Sequence, residues 1–267
     1  MTTGDQSPVP DFVGRLRLDG KCYVVAGAGV GMGRMTSHAL AQAGAAKIVT
    51  VDVDPARAEE IAAEVGPVAV PWSGDLTSRP DVEALADFAE STMGRIDGFV
   101  DIIGMARWQS ILDMDDDNFN WSLDINLRHA YLLSQQLGLR MKETGGGTMT
   151  FIASVSGLTG APMHAGYGAA KAGLMAWIKT LSVELGPFNI RANAVAPGTI
   201  LSPRMDAIFT QQQRDTNSAN TPLARMGGTY DIASAALFLT SPLADYITGH
   251  TIVVDGGVSA KFPYPTL

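Results

Sequence analysis

In CYVVAGAGVGMGRM, residues 22–35, an apolar run of strand length breaks into glycines and then opens the helical pattern GRMTSHALAQAGA. Strict G-x-G-x-x-G spacing is absent, because Met32 and Arg34 stand where its last glycine would fall. Gly27, Gly31 and Gly33 fit G-x-x-x-G-x-G instead. Glycines at a strand-to-helix turn let the backbone approach a pyrophosphate seated on free N–H groups at the positive end of the helix. A tight turn that binds nothing is the other reading, and the position after the first strand favours a nucleotide. The next strand adds to it, since Asp52 follows Gly33 by 19 residues. A carboxylate near that offset accepts from the 2′-hydroxyl of an adenosine ribose and repels a 2′-phosphate. Val30 and Val53 supply no cation for such a phosphate, so NAD is expected over NADP; Arg34, on the first helical turn, is the one opposing residue. Asp54 before Pro55 reads as a helix cap. Asp75, after the third strand, either receives an adenine amino group or closes a turn.

Outward from this loop the pattern repeats. The strand-length runs are CYVVAG, KIVTVDV, VAVPW, GFVDIIG, TMTFIAS, RANAVAP and HTIVVDGG, with helical stretches between them. Alternation of this kind implies crossover connections and a parallel sheet covered on both faces, hence a single Rossmann-type doubly wound α/β domain with a seven-stranded sheet. The expected organisation is a flexible leader over residues 1–18, the domain over 19–257 and a tail over 258–267. Residues 199–228 show no clear period, and a long irregular segment in a compact domain reads as a lid.

Composition narrows the function classes. A chain of 267 residues with 46% hydrophobic and 17% charged residues can bury one large core without help. Its net charge of −8, with no basic run, disfavours nucleic acid and anionic lipid as partners. No apolar run approaches the roughly 18 residues of a membrane span, and the N-terminal stretch lacks the apolar core of a signal peptide, so a cytoplasmic location is expected. Cys22, the only cysteine, reads as a buried structural thiol. The four histidines, His38, His129, His164 and His250, are dispersed without ligand spacing, and no metal is expected.

YGAAK, residues 167–171, sets Tyr167 and Lys171 one helical turn apart on a shared face. A phenol of ordinary pKa near 10 is a poor proton shuttle at neutral pH, and lowering it by about three units takes roughly 4 kcal/mol. A neighbouring ammonium is a direct source of that stabilisation. The small residues Gly168, Ala169 and Ala170 would let a coenzyme lie against this face. An ordinary surface pair is the bland alternative, and company argues against it. Ser154 ends the fifth strand 13 residues before Tyr167, where a hydroxyl points into the ligand crevice of an open α/β sheet. Asn126 lies inside a long helix, as a side chain satisfied by a neighbouring turn or as the mark of a kink that frees a carbonyl for water.

With the glycine loop, VDVD, GDL, DIN, ASVSG, YGAAK, NAVAPGTILSP, PLARMGG and TGHTIVVDGG in order, the sequence resembles the short-chain dehydrogenase/reductase family from about Leu18 to Gly257. The resemblance implies Tyr167 as general acid/base and Lys171 as the residue that lowers its pKa while binding the nicotinamide ribose. It further implies that Ser154 holds the substrate oxygen and that Asn126 anchors a water linking Lys171 to solvent. For the coenzyme it implies Gly27, Gly31, Met32, Gly33, Asp52, Asp75, Leu76, Ile103, Gly104, Tyr167, Lys171, Pro197 and Gly198. Ile200 and Ser202 match the positions that hold the nicotinamide carboxamide, with serine in place of the usual threonine. Two departures stand out. Ala26 replaces the first loop threonine, and the family's Asn-Asn-Ala-Gly reads Asp101-Ile102-Ile103-Gly104, where a buried Asp101 needs donors or a raised pKa.

The expected activity is therefore NAD-dependent interconversion of a secondary alcohol and a ketone. Met105, Trp108, Leu158, Met163, Met205, Ile208 and Phe209, with His164 at the border, make an apolar wall suited to a hydrophobic or cyclic substrate; core packing explains several of them equally well. His164 reads more naturally as a loop histidine without chemistry. A silent NAD-binding sensor or structural protein is the rival, favoured by the altered fourth-strand motif and disfavoured by the complete Asn126, Ser154, Tyr167 and Lys171 set. An epimerase or dehydratase is a weaker third, because little chain remains after Gly257 for a substrate domain. The resemblance implies a homotetramer, or a dimer, through the helices around Tyr167 and the last strand. Phe262 and Tyr264 in the proline-stiffened tail are expected to dock on a neighbouring subunit.

Overall fold

The structure is a computed structural model that describes residues 7–262. Seven parallel strands form one sheet: β1 (Cys22–Ala26), β2 (Lys47–Asp52), β3 (Ala69–Ser73), β4 (Gly98–Asp101), β5 (Gly147–Ile152), β6 (Ile190–Pro197) and β9 (Thr251–Val254). Their spatial order is β3-β2-β1-β4-β5-β6-β9. The chain leaves β1 towards β2 on one side and later returns to place β4 on the other, so the crevice where ligands of open sheets bind opens above β1 and β4.

The helices follow from the residues between the strands. They are α1 (Met32–Gln42), α2 (Pro55–Val65), α3 (Arg79–Met93), α4 (Asp116–Leu123), α5 (His129–Glu143), α6 (Ala165–Leu185) and α9 (Thr229–Thr240). Asp54 caps α2 as expected, accepting from the Ala56 N–H at 3.0 Å. Strand residues alternate between two cores. Val24 and Ala26 of β1 pack with residues of α3, α5 and α6, whereas Tyr23 and Val25 pack with Leu40 of α1, Ile61 of α2 and Ala236 of α9. Burying both faces explains why the strands read as continuous apolar runs. Cys22 is buried in β1.

Three expectations are corrected. The long helix read around Asn126 is interrupted by one π turn, Asp124–Arg128, with Asn126 at its centre. The segment 199–228 is not irregular: it holds α7 (Pro203–Ile208), α8 (Gln211–Asn220) and a two-stranded pair, β7 (Ile200–Leu201) with β8 (Gly227–Gly228). QQQRDTNSAN of α8 has no apolar stripe to betray its period; a capping box between Thr210 and Gln213 starts the helix instead. Of the leader, residues 14–18 are docked, since Leu18 is core and Arg15 donates to Asp245 Oδ2 at 3.0 Å. At the other end Phe262 is 72% exposed, and Tyr264 lies outside the described residues. Among the described residues no helix is long and apolar enough to cross a membrane.

Candidate active site

The loop after β1 forms the floor of a cavity of about 710 Å³. Gly27 and Gly31 have φ of 79° and 67°, the left-handed region that glycine enters at no steric cost. At Gly33 a β-carbon would overlap the Gly27 carbonyl oxygen, so α1 can press against the loop only without a side chain there. Gly29 was not assigned a part by spacing, yet it has one. Its N–H donates to Asp52 Oδ2 at 3.1 Å, and a β-carbon there would collide with that carboxylate.

Of the residues expected to bind a coenzyme, Gly27, Gly31, Met32, Asp52, Asp75, Leu76, Ile103, Gly104 and Ser202 line the cavity. Gly33, Tyr167, Lys171, Pro197, Gly198 and Ile200 do not; Ile200 is 7% exposed and belongs to a core cluster with Ile152 and Ile232. Ser202 lines the wall while its Oγ caps α7, accepting from the Met205 N–H at 3.3 Å. Asp75 closes a turn, with Oδ1 accepting from the Thr77 N–H at 2.9 Å and its hydroxyl at 2.7 Å. Spacing missed Arg57, Trp121 and Arg204 on the same wall, because nothing local marks them. Arg34 is accounted for: Glu64 of α2 takes its guanidinium, with Nε to Oε2 at 2.8 Å.

Beyond Gly104 lie the groups expected to do chemistry. Ser154 follows β5 in extended backbone and is 9% exposed. Tyr167 enters from the first turns of α6, with the Ser154 side chain close enough to act on its phenol. Lys171, one turn on, is 2% exposed; its Nζ donates to the Ile152 carbonyl at 2.7 Å and the Ile103 carbonyl at 3.4 Å. It stands 5.8 Å from the centroid of the Tyr167 ring. The expected lowering of the Tyr167 pKa is not what the chain alone produces. Burial is the larger influence and raises the phenol, against which the Ser154 side chain pulls down. The ammonium is itself pushed down to about 8 by burial, and its hydrogen bonds go to carbonyls rather than to the phenol. Gly168 and Ala170 are small for another reason. A β-carbon on Gly168 would stand 2.8 Å from the Ser156 carbonyl, and Ala170 is fully buried.

Asn126 has a side chain satisfied by a neighbouring turn, its Nδ2 donating to the Ser122 carbonyl at 3.0 Å. It sits on the π turn, and its side chain clamps the loop after β4: Nδ2 donates to the Met105 carbonyl at 2.8 Å and Oδ1 accepts from the Met105 N–H at 3.0 Å. Asp101 is 1% exposed and finds its donors in the Ile103 N–H, at 3.1 Å, and His129 Nε2, at 2.9 Å. The altered fourth-strand motif is thus accommodated by a histidine 28 residues away that sequence spacing left without a role.

The side towards solvent is aromatic. Trp108 and His164 lie 6.2 Å apart between ring centroids, and His164 and Tyr167 5.7 Å apart. His164 is the residue before α6, and burial lowers its pKa, so it stays neutral at pH 7. Met105, Leu158, Met163 and Ile208 are 39%, 49%, 48% and 47% exposed, which suits a wall rather than a core; Met205 of α7 and Phe209 just after it are half-buried.

A family model described as enoyl-(acyl carrier protein) reductase matches residues 27–259. The 7alpha-hydroxysteroid dehydrogenase of Escherichia coli K12 is 34% identical over 245 residues, covering 91% of this chain and 95% of that one. This chain belongs to the short-chain dehydrogenase/reductase family. Within the family, the D-threitol dehydrogenase of Mycolicibacterium smegmatis is 33% identical over 248 residues, covering 92% and 95%. A solved 7 alpha-hydroxysteroid dehydrogenase complexed with NADH and 7-oxo glycochenodeoxycholic acid superposes with a TM-score of 0.88 at 33% identity, covering 92% of this chain and 96% of that one. Relatives that act on alcohols and ketones make this short-chain dehydrogenase/reductase an oxidoreductase.

Proposed function

We propose that the chain interconverts a secondary alcohol and a ketone with NAD(H), using Tyr167 as the proton carrier. The observation that carries this reading is the convergence of Ser154, Tyr167 and Lys171 beside a glycine-floored cavity that ends at Asp52. The residues fit a dinucleotide: a β-carbon at Gly33 or Gly29 would block the cradle, and Asp52 stands at the adenosine side. NAD is favoured over NADP because Asp52 repels a 2′-phosphate and Arg34 is held by Glu64; Arg57, also on the wall, lies 3.5 Å from Asp54. A bound nicotinamide supplies the site that gives or takes the hydride.

The chain's own residues move the proton and fix the substrate. Ser154 Oγ holds the substrate oxygen beside the Tyr167 hydroxyl, which takes the alcohol proton in oxidation and returns it in reduction. Lys171 holds positive charge near the phenol and favours its ionised form. Asn126 keeps the Gly104–Met105 edge in place. The Trp108, His164 and Met105 wall suits a hydrophobic or cyclic substrate. We also expect a cytoplasmic homotetramer or dimer assembled through the helices around Tyr167 and through β9; Val183 and Tyr246, at 76% and 104% exposure, are apolar or aromatic groups open to such contacts.

The test is a panel of secondary alcohols and ketones assayed with NAD and NADP side by side, for the native chain and Tyr167→Phe. The expected result is NAD-dependent turnover that falls by about a hundredfold to ten-thousandfold in the variant while NAD binding persists. Coenzyme binding with no turnover on any alcohol would favour the sensor, and retained activity in Tyr167→Phe would remove the proton carrier.

A further inference from the structure

Two buried groups beside Lys171 have no part in the chemistry above. Asp101 closes β4 and His129 opens α5, at 1% and 0% exposure. The carboxylate has two partners, the Ile103 N–H and His129 Nε2. The imidazole has one, for its Nδ1 is buried with no hydrogen-bond partner in the described chain. That asymmetry places the proton. A doubly protonated ring would leave an Nδ1–H without an acceptor in the core, whereas a neutral ring with its hydrogen on Nε2 donates to Asp101 and leaves only a lone pair unmet. His129 thus meets Asp101 through Nε2 alone.

The cation that meets the carboxylate is Lys171. One residue joins them: the Ile103 N–H goes to Asp101 at 3.1 Å, and the Ile103 carbonyl, in the next peptide, accepts from Lys171 Nζ at 3.4 Å. Gly104 lets the ammonium come close, since a β-carbon there would stand 2.7 Å from Nζ. The same loop is fixed on its far side by Asn126, one helical turn before His129. We propose that Asp101 and His129 are positioning residues: neutral His129 holds Asp101 as a carboxylate, and Asp101 is the buried counter-charge that keeps Lys171 cationic while pinning the residue, Ile103, whose carbonyl receives it. This rests on the dehydrogenase reading only for its catalytic meaning; the pairing stands on the Ile103 residue that both groups bond and on the charge of Asp101, which favours the ammonium. Burial acts on Lys171 in the opposite sense, and Asp101 is the group that opposes it. The charged or titratable groups facing the ammonium are Asp101 from β4 and Tyr167 from its own helix, whose ring centroid lies 5.8 Å away; His129 of α5 meets Asp101 instead. Asp124 of the π turn is exposed and lies 4.0 Å from Arg128.

The experiment follows Lys171 in the coenzyme-free protein by NMR titration of 13Cε-labelled lysines, with Lys171→Arg identifying the signal by its loss. The native midpoint is expected near 8. In Asp101→Asn it falls by about one pH unit, and the alkaline limb of kcat/KM moves with it, because protonated Lys171 is lost sooner. His129→Gln keeps an N–H donor for the carboxylate and leaves the midpoint where it is. Nitrogen-15 spectra of His129 at neutral pH show an uncharged ring with its hydrogen on Nε2. An unmoved Lys171 midpoint in folded Asp101→Asn overturns the proposal, as does a charged or Nδ1-protonated His129. If Asp101→Asn does not fold, the histidine spectrum and His129→Gln carry the test, and a displaced midpoint in the latter overturns it. Absence of turnover with these titrations as expected would remove the dehydrogenase reading and leave the charge pairing intact.

Discussion

Lys171 lends itself to a quantitative test because the fold treats its charge as a cost. Its pKa falls from 10.5 to about 8 on burial, a gap that corresponds to roughly 3 kcal/mol. The folded chain binds this proton less tightly than the unfolded chain. Between about 8 and 10.5 the unfolded state therefore carries more protons, and stability rises with pH. Below that window both states are protonated and the full cost is present; above it both are neutral and the cost is gone. Lys171→Met keeps the apolar stem of the side chain and removes the titration. At neutral pH the variant is relieved of roughly 3 kcal/mol, offset by about 1–3 kcal/mol for leaving the Ile152 carbonyl without its 2.7 Å donor. It should thus fold as well as the native chain or better, while losing activity. The decisive quantity is the difference between the two stabilities, from urea denaturation followed by circular dichroism at a series of pH values. Groups common to both, such as the buried Tyr23 phenol that burial pushes up, cancel. The native chain should gain roughly 3 kcal/mol on the variant as pH rises from 8 to 10.5. Parallel curves, or a native chain that loses ground as pH rises, would refute the account of a charged lysine held in the core.

Gly33→Ala sets a β-carbon against the Gly27 carbonyl, a backbone atom that cannot swing away, so thermal melting should show a loss of about 1–3 kcal/mol together with weakened NAD binding. Asp52→Ala removes the carboxylate proposed to meet the adenosine ribose, and the ratio of kcat/KM with NAD to that with NADP should fall roughly tenfold or more, about 1.4 kcal/mol. Arg34→Gln, by contrast, should leave that ratio in place, since Glu64 already holds the guanidinium; a change comparable with that of Asp52→Ala would show that Arg34 reaches the coenzyme. His164→Leu removes the ring between Trp108 and Tyr167, and KM should rise roughly threefold to tenfold from about 0.5–1.5 kcal/mol of lost contact, with the pH profile of kcat unmoved at neutral and alkaline pH because the native ring is already neutral there.

What the sequence determined by itself was whatever depends on short separations along the chain. Strand and helix periods revealed the doubly wound sheet, because alternation of apolar runs with helical stretches leaves few other ways to bury both faces. The glycines at 27, 31 and 33, the acid at 52 and the one-turn spacing of 167 and 171 were legible for the same reason: a loop, an adjacent strand end and a helix face are set by local geometry. Other features were decided only when distant segments met. No pattern links Asp101 to His129 or Arg34 to Glu64, since each pair joins different elements of the folded chain. The order in α8 was hidden because its stability comes from a cap and its neighbours rather than an apolar stripe. The direction of the Tyr167 pKa was likewise beyond the sequence. Spacing shows which charge is near, but desolvation depends on everything that packs around the ring, and that is a property of the tertiary structure alone.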